Sequence, residues 1–136
     1  MSTQVTYYSY GGKTRVIALD VAAKLQAGCE EIADTKRPGL LRAYTAGIMA
    51  AVRGKPWPIK PVFTAASACE RVILLSPVWA GNPPPAVHAA LALLPEGKSV
   101  AVKMVSASGK SKCRAAVERA VATRGCVLES FEDIKA

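Results

Sequence analysis

The sequence has little of what metal sites, disulfide frameworks and membrane spans require. It carries one histidine, and its four cysteines form no C-x-x-C pair: Cys29, Cys69, Cys113 and Cys126. This spacing does not indicate a metal site, and without an export signal at the N-terminus it predicts buried free thiols rather than disulfides. No run of about 18 apolar residues is present, which excludes a membrane-spanning helix. We therefore expect a cytoplasmic protein that does not enter the membrane.

Acidic residues are scarce as well. The chain has 18 Lys and Arg against 10 Asp and Glu, a net charge of +8. Six basic residues and no acidic one lie between Thr35 and Cys69: Lys36, Arg37, Arg42, Arg53, Lys55 and Lys60. A positive field attracts acidic proteins, anionic cofactors or nucleic acid without choosing among them, and a merely solvated basic face would look the same. No nucleic-acid-binding module accompanies the charge, so we do not expect nucleic acid as the partner.

Turn residues divide the chain into alternating strand and helix patterns. Strands are predicted at Gln4–Tyr8, Cys29–Ile32, Arg71–Ser76, Ser99–Val105 and Cys126–Phe131, and helices at Lys13–Ala27, Leu40–Arg53, Ala86–Leu94 and Lys110–Arg124. The unbroken apolar run Val72–Leu75 is typical of a strand that is buried on both faces of a parallel sheet. The alternation indicates right-handed βαβ units. We predict one α/β domain with a doubly wound, five-stranded parallel sheet in the order 2-1-3-4-5.

Three loops rich in serine and glycine follow the first, third and fourth predicted strands. In doubly wound sheets ligands bind beyond the carboxyl ends of the strands, where the strand order reverses. The first loop, residues 9–14, turns directly into a helix, whose first N–H groups are unpaired and carry the positive end of the dipole. Gly11 and Gly12 allow the main chain to approach a phosphate, and Lys13 adds a charge. The pattern predicts an anion site, although glycines also serve such turns for geometry alone.

The second loop carries a more specific pattern. Residues 76–85 read Ser-Pro-Val-Trp-Ala-Gly-Asn-Pro-Pro-Pro. This block resembles the flavin-contacting loop of the flavodoxin family, in which a small residue and proline close the third strand and an aromatic ring packs against the isoalloxazine. The first loop is similar to the family's phosphate loop, and residues 37–39 and 54–56 resemble the crossover of its short bacterial members. The similarity runs in order through most of residues 4–131.

The resemblance implies a flavodoxin-like domain over residues 1–136 with FMN as its cofactor. The phosphate would lie on the first loop and the ring against Trp79, with the third loop near the pyrimidine edge. The implied cofactor-binding residues are Ser9, Tyr10, Gly11, Gly12, Lys13, Thr14, Pro77, Val78, Trp79, Ala80, Gly81, Ser106, Ala107, Ser108 and Gly109. No catalytic side chain and no metal are implied, because the flavin carries the redox chemistry.

Two functions remain open on these residues. The first is an FMN-binding redox protein, either an electron carrier or a small FMN-dependent oxidoreductase, with a redox partner that the positive charge would favour as acidic. Trp79 in its Pro-Val-Trp-Ala-Gly setting supports this interpretation. The second is a flavodoxin-fold domain without flavin that works as a binding or regulatory module. Gly11, which stands where the family usually has threonine, and a third loop without an aromatic support the second.

The end of the sequence bears on assembly. A doubly wound sheet of five strands normally has a helix after its last strand, whereas only five residues follow Phe131. We therefore expect apolar side chains of the nearby strands to face water, and a two-fold homodimer to cover them. The alternative is that the first helix covers the sheet alone.

Overall fold

Five parallel strands form one sheet in the order β2-β1-β3-β4-β5. The computed structural model describes residues 2–64 and 66–136. The strands are β1 (Thr3–Tyr7), β2 (Gly28–Glu31), β3 (Arg71–Pro77), β4 (Ser99–Ser106) and β5 (Val127–Lys135). The predicted fold class, parallel pairing and strand order are confirmed. The order reverses between β1 and β3, so the loops that follow these two strands emerge side by side.

In the described part of the chain, four helices flank the sheet. They are α1 (Lys13–Leu25), α2 (Leu40–Arg42, continued by Ala43–Gly47 and Ile48–Arg53), α3 (Pro85–Leu91) and α4 (Arg114–Thr123). The middle segment of α2, Ala43–Gly47, is a π-helical turn, which inserts an extra residue into the helix. Pro85 begins α3, where its missing N–H costs nothing. A short 3₁₀ turn, Ala66–Ala68, precedes β3.

The core has one layer on each side of the sheet. On one face, Ala18 and Ala22 of α1 pack against Val5 and Ile73. The small alanine side chains allow the helix to approach the strands closely. The opposite face is larger and is covered by residues of α3 and α4, including Val87 and Val117. The four residues of the run 72–75 are all at most 1% exposed, as a strand between two helical layers requires.

The largest differences from the predicted element boundaries are four residues, and they occur at two places. The fourth helix begins at Arg114 rather than at Lys110, because the preceding residues extend the third loop and bond to the second. The last strand continues beyond Phe131 to Lys135, since β4 offers pairing partners as far as Ser106. A bulge between Val100 and Ala101 of β4 shifts the register in the middle of this pair.

The expected apolar surface beside the last strands is wrong. On the α1 side of the sheet these strands carry ion pairs, Arg71 to Glu129 at 2.7 Å and Lys103 to Glu132 at 2.8 Å. Val127, at 69% exposure, is the one large apolar side chain that the described strands β4 and β5 expose strongly. This part of the α1 side is therefore polar and hydrated rather than apolar, and the argument for a homodimer that covers an apolar surface does not hold.

Only half of the four cysteines are buried. Cys113 and Cys126 lie in the core, Cys69 is half-buried, and Cys29 is exposed on the edge strand β2. The prediction of buried thiols is therefore wrong for Cys29, because β2 has no neighbour on its outer side. The described residues contain no group of side chains that could hold a metal ion. Among the described helices, none is long and apolar enough to cross a membrane.

Candidate functional site

The three predicted loops meet at the carboxyl ends of β1, β3 and β4. They surround a cavity of about 270 Å³. Its walls come from all three loops and from the last residue of the chain: Ser9, Tyr10, Gly11, Lys13, Thr14, Pro77, Val78, Trp79, Val105, Ser106, Ala107 and Ala136. Two of these wall residues, Val105 and Ala136, were not predicted from the sequence.

A second cavity of about 580 Å³ continues from the first. It is lined by Val78, Ala80, Gly81, Ser106, Ala107, Ser108, Lys110, Ser111 and Lys112. The two cavities share Val78, Ser106 and Ala107, and together we call them the loop groove. Thirteen of the fifteen predicted site residues line it, and Gly12 and Gly109 do not. The structure thus brings the other predicted residues together, whereas these two glycines shape the backbone of the loops.

The first loop is built around Gly12. This residue has a φ of 101°, which favours glycine, and its N–H donates to Ser9 Oγ at 3.0 Å. The Ser9 oxygen is therefore used inside the loop, although its O–H can still donate to a ligand. Gly11 is exposed, and no atom lies within 4 Å of where a Cβ would be. Thr14, at 3% exposure, lies in the first turn of α1 on the wall of the groove.

A tight turn fixes Trp79 in the second loop. Its N–H donates to the Asn82 carbonyl at 2.7 Å, and the Asn82 N–H donates back at 3.0 Å. The residues between them, Ala80 and Gly81, have φ values of 51° and 84°. Two positive φ values in succession define a type I′ turn, which alanine adopts only at a cost. The turn therefore fixes the backbone conformation of Trp79 and of the residues that follow it.

The indole itself is held by aromatic neighbours and by a glycine of α2. The Trp79 ring meets the edges of Tyr10 at 5.7 Å and Tyr8 at 6.3 Å between centroids. A Cβ on Gly47, in the π-helical turn, would lie 2.8 Å from Trp79 Cζ3, so only glycine allows α2 to cross so closely. The role of Gly47 was not predicted from the sequence, where the available signal was a lone glycine inside a helical pattern.

Both tyrosines are anchored by polar contacts that were also missed. Tyr8 donates its hydroxyl to Asp34 Oδ2 at 2.6 Å, and burial together with this bond raises the pKa of Tyr8. Tyr10 donates to the Pro38 carbonyl at 2.9 Å, while the Arg37 guanidinium lies 4.5 Å from the Tyr10 ring centroid. Arg37 also donates to the backbone carbonyl of Tyr10. The wall behind Trp79 is therefore fixed by hydrogen bonds, and the Arg37 cation lies beside it.

The third loop is joined to the second. The Lys112 N–H donates to the Gly81 carbonyl at 2.7 Å, and the Lys112 side-chain carbons lie against Gly81, 3.1–3.3 Å from where a Cβ would be. Within the loop, Ser106 Oγ accepts the Gly109 N–H at 3.0 Å. Gly109, with a φ of 70°, packs against Lys135. No aromatic residue from this loop lines the groove, so Trp79 and Tyr10 are its aromatic walls.

The single histidine lies outside the loop groove. His88 is on α3, and its Nε2 lies 3.1 Å from the Ala51 carbonyl of α2. Burial lowers the pKa of His88, so the ring is neutral near pH 7 and its N–H can donate to that carbonyl. The contact joins two helices, and it gives His88 a structural position.

Comparison with known proteins agrees with this geometry. No family model and no curated protein matches the sequence. Among solved structures, a Bacteroides eggerthii protein assigned as a flavoprotein is 15% identical, covers 96% of this chain and 86% of its own, and superimposes with a TM-score of 0.78. A Lactobacillus acidophilus flavoprotein in complex with FMN is 16% identical, with 96% and 91% coverage and a TM-score of 0.69.

A flavodoxin is similar over the whole chain. Oxidised flavodoxin 2 from Bacillus cereus is 19% identical, covers 100% of this chain and 86% of its own, and gives a TM-score of 0.57. At these identities the similarity concerns the arrangement of helices and strands. The sheet order and the crossovers indicate the same arrangement independently. The chain has the flavodoxin-like fold that its second loop predicts.

Proposed function

We propose that this protein binds FMN in the loop groove and works as a redox protein. The observation that carries the proposal is the groove itself, in which an open glycine loop at the start of α1 and a fixed indole share one cavity wall. A groove of this kind fits a ligand with an anionic end and a flat ring. The FMN complex of the Lactobacillus acidophilus flavoprotein, which has the same fold, supports FMN as that ligand.

Each part of the groove has a distinct task in this proposal. The first-turn N–H groups of α1, the Lys13 ammonium and the Thr14 hydroxyl would hold the phosphate. Trp79 would take one face of the ring and exclude water from it, while Ser106 and Ala107 would bound the pyrimidine edge. The Lys13 Nζ now lies 3.5 Å from the Ala136 carbonyl, so it is already directed toward the groove wall. FMN, when bound, would supply the electron-transfer chemistry.

The partner that exchanges electrons with the protein is proposed to be acidic. The net charge of +8 and the exposed cations of the segment without acidic residues support this choice, among them Lys36, Arg37, Arg42 and Arg53. Such a field would accelerate encounter with an acidic protein and make the rate fall with ionic strength. A carrier role and a reductase role both follow from the same groove.

The proposal is tested by comparing FMN with riboflavin, which lacks the phosphate. Thr14→Ala and Lys13→Gln should weaken FMN binding by about 1–2 kcal/mol and leave riboflavin binding unchanged, because a charged hydrogen bond contributes about that much. Trp79→Ala should weaken both ligands by about 1–3 kcal/mol. Trp57→Phe, at an indole outside the loop groove, is the matched control and should change neither. Each titration follows flavin fluorescence, with circular dichroism to confirm folding.

The flavin-free module is the second candidate. The third loop, which leaves one ring face without an aromatic cover, favours it. Wild-type protein that fails to bind FMN at high micromolar concentration would overturn the redox proposal and leave this candidate in its place.

A further inference from the structure

A separate cavity of about 300 Å³ lies between Trp79 and helix α2. It shares Tyr10, Val78, Trp79 and Ala80 with the loop groove, and its other four walls come from α2. Its walls are Tyr10, Leu40, Ala43, Tyr44, Ile48, Val78, Trp79 and Ala80. We call it the α2 cavity. The proposed FMN site gives no task to the four α2 walls, Leu40, Ala43, Tyr44 and Ile48, which line this cavity and not the loop groove.

The lining of the α2 cavity is apolar and aromatic. Three of its eight walls are aromatic rings, and none carries a charge. The hydroxyl of Tyr10 is already engaged with the Pro38 carbonyl. The cavity therefore offers ring surfaces and aliphatic carbons but few hydrogen-bonding groups. Leu40 and Tyr44, at 66% and 68% exposure, are large side chains left facing water at its mouth, which a bound apolar molecule would cover.

The backbone gives this cavity a defined shape. The extra residue of the π-helical turn at Ala43–Gly47 changes the directions in which the side chains of α2 leave the helix axis. The buried Ala43 forms part of the cavity wall. Gly47 lets the helix pass close to Trp79, and the type I′ turn holds the indole from the other side. Turns of the π type inside α-helices occur frequently at functional sites. Preformed apolar cavities of about 300 Å³ or more are typical of small-molecule sites.

We propose that the α2 cavity binds planar, uncharged aromatic compounds of about two fused rings, next to the loop groove and independently of FMN. The size follows from the volume, because a cavity of about 150 Å³ accommodates benzene and this one is twice as large. Planarity suits a space walled by three rings. A cationic compound is disfavoured by the Arg37 guanidinium, which lies 4.5 Å from the ring centroid of Tyr10, one of the cavity walls.

Quinoxaline, an uncharged soluble bicyclic compound, is the probe for the FMN-free protein. Binding is followed by quenching of tryptophan fluorescence and, independently, by titration calorimetry. Leu40→Ala and Leu41→Ala form a matched pair, because both leucines are exposed neighbours on α2, at 66% and 79%, and only Leu40 lines the cavity. Leu40→Ala should weaken quinoxaline binding about threefold to tenfold, whereas Leu41→Ala should change it less than about twofold. Pyrazine, with one ring, should bind more weakly than quinoxaline.

A filling variant completes the test. Ile48→Trp places a larger ring in the cavity and should abolish quinoxaline binding while the protein keeps its circular dichroism spectrum. Equal effects of Leu40→Ala and Leu41→Ala, or no quinoxaline binding by the wild type, would overturn the proposal. So would competition between quinoxaline and FMN, since that result would make the two cavities one site. Failure of FMN to bind leaves the quinoxaline titration unaffected, so the two proposals fail separately.

Discussion

Adding one methyl group at Gly47 is expected to destabilise the protein and to weaken FMN binding. The φ of Gly47 is −65°, an ordinary helical value, so alanine adds no backbone strain and gains about 0.5–1 kcal/mol in helix propensity. The new Cβ would lie 2.8 Å from Trp79 Cζ3 and 3.4 Å from Trp57 Cη2, so at least one indole must move. Overpacking of this kind costs about 1–3 kcal/mol.

The two terms leave a net loss of up to about 2.5 kcal/mol in the free energy of unfolding for Gly47→Ala. Urea unfolding measures it as a lower midpoint at unchanged slope. Because the displaced ring is Trp79, the FMN dissociation constant should rise as well. Ala46→Gly, at an exposed position of the same turn, is the control: it should lose about 0.5–1 kcal/mol of stability and keep its FMN affinity. A Gly47→Ala protein more stable than the wild type, with unchanged FMN affinity, would refute this account of the crossing.

Three further predictions concern single residues. Gly11→Thr should tighten FMN binding about twofold to tenfold and Gly11→Val should not, because the position is open and only threonine adds a hydroxyl donor; equal affinities of the two variants would count against a phosphate there. The lowered pKa of His88 means that stability falls as the pH drops below about 6.5, since protons bind the unfolded chain first; His88→Gln should remove this slope in acid titrations. The hydrogen bond from Arg71 lowers the pKa of Glu129, so Arg71→Gln should destabilise the protein near neutral pH and not in acid, where Glu129 is protonated. The two-fold homodimer stays a prediction, and light scattering that gives a monomeric mass at low micromolar concentration would contradict it.

The architecture was predictable because the patterns that determine it are local and repeated. The run 72–75 is apolar at every position, as is typical of a strand between two helical layers. Alternating strands and helices then leave few topologies, because parallel crossovers are right-handed. The three loops of the groove follow from the same logic, since carboxyl ends of neighbouring parallel strands meet at one edge of the sheet.

The details of the site were not predictable, because they depend on contacts between distant parts of the chain. No local pattern in Leu40–Arg53 predicts a π-helical turn, because the turn depends on how α2 packs against the indole rings near Gly47. The extension of β5 to Lys135 depends on the free edge of β4, and its residues Glu132 and Asp133 are poor strand formers. Tertiary contacts override local propensity both in the π-helical turn of α2 and in the extension of β5.

The bond from the Lys112 N–H to the Gly81 carbonyl has a kinetic consequence. It ties the two loops that would enclose a flavin ring before any ligand is present, so neither loop must lose conformational freedom during binding. Preorganisation of this kind lowers the entropic cost of association. We expect FMN to enter in a single exponential phase whose rate rises linearly with concentration. A loop that had to close afterwards would instead add a slow phase that is independent of concentration.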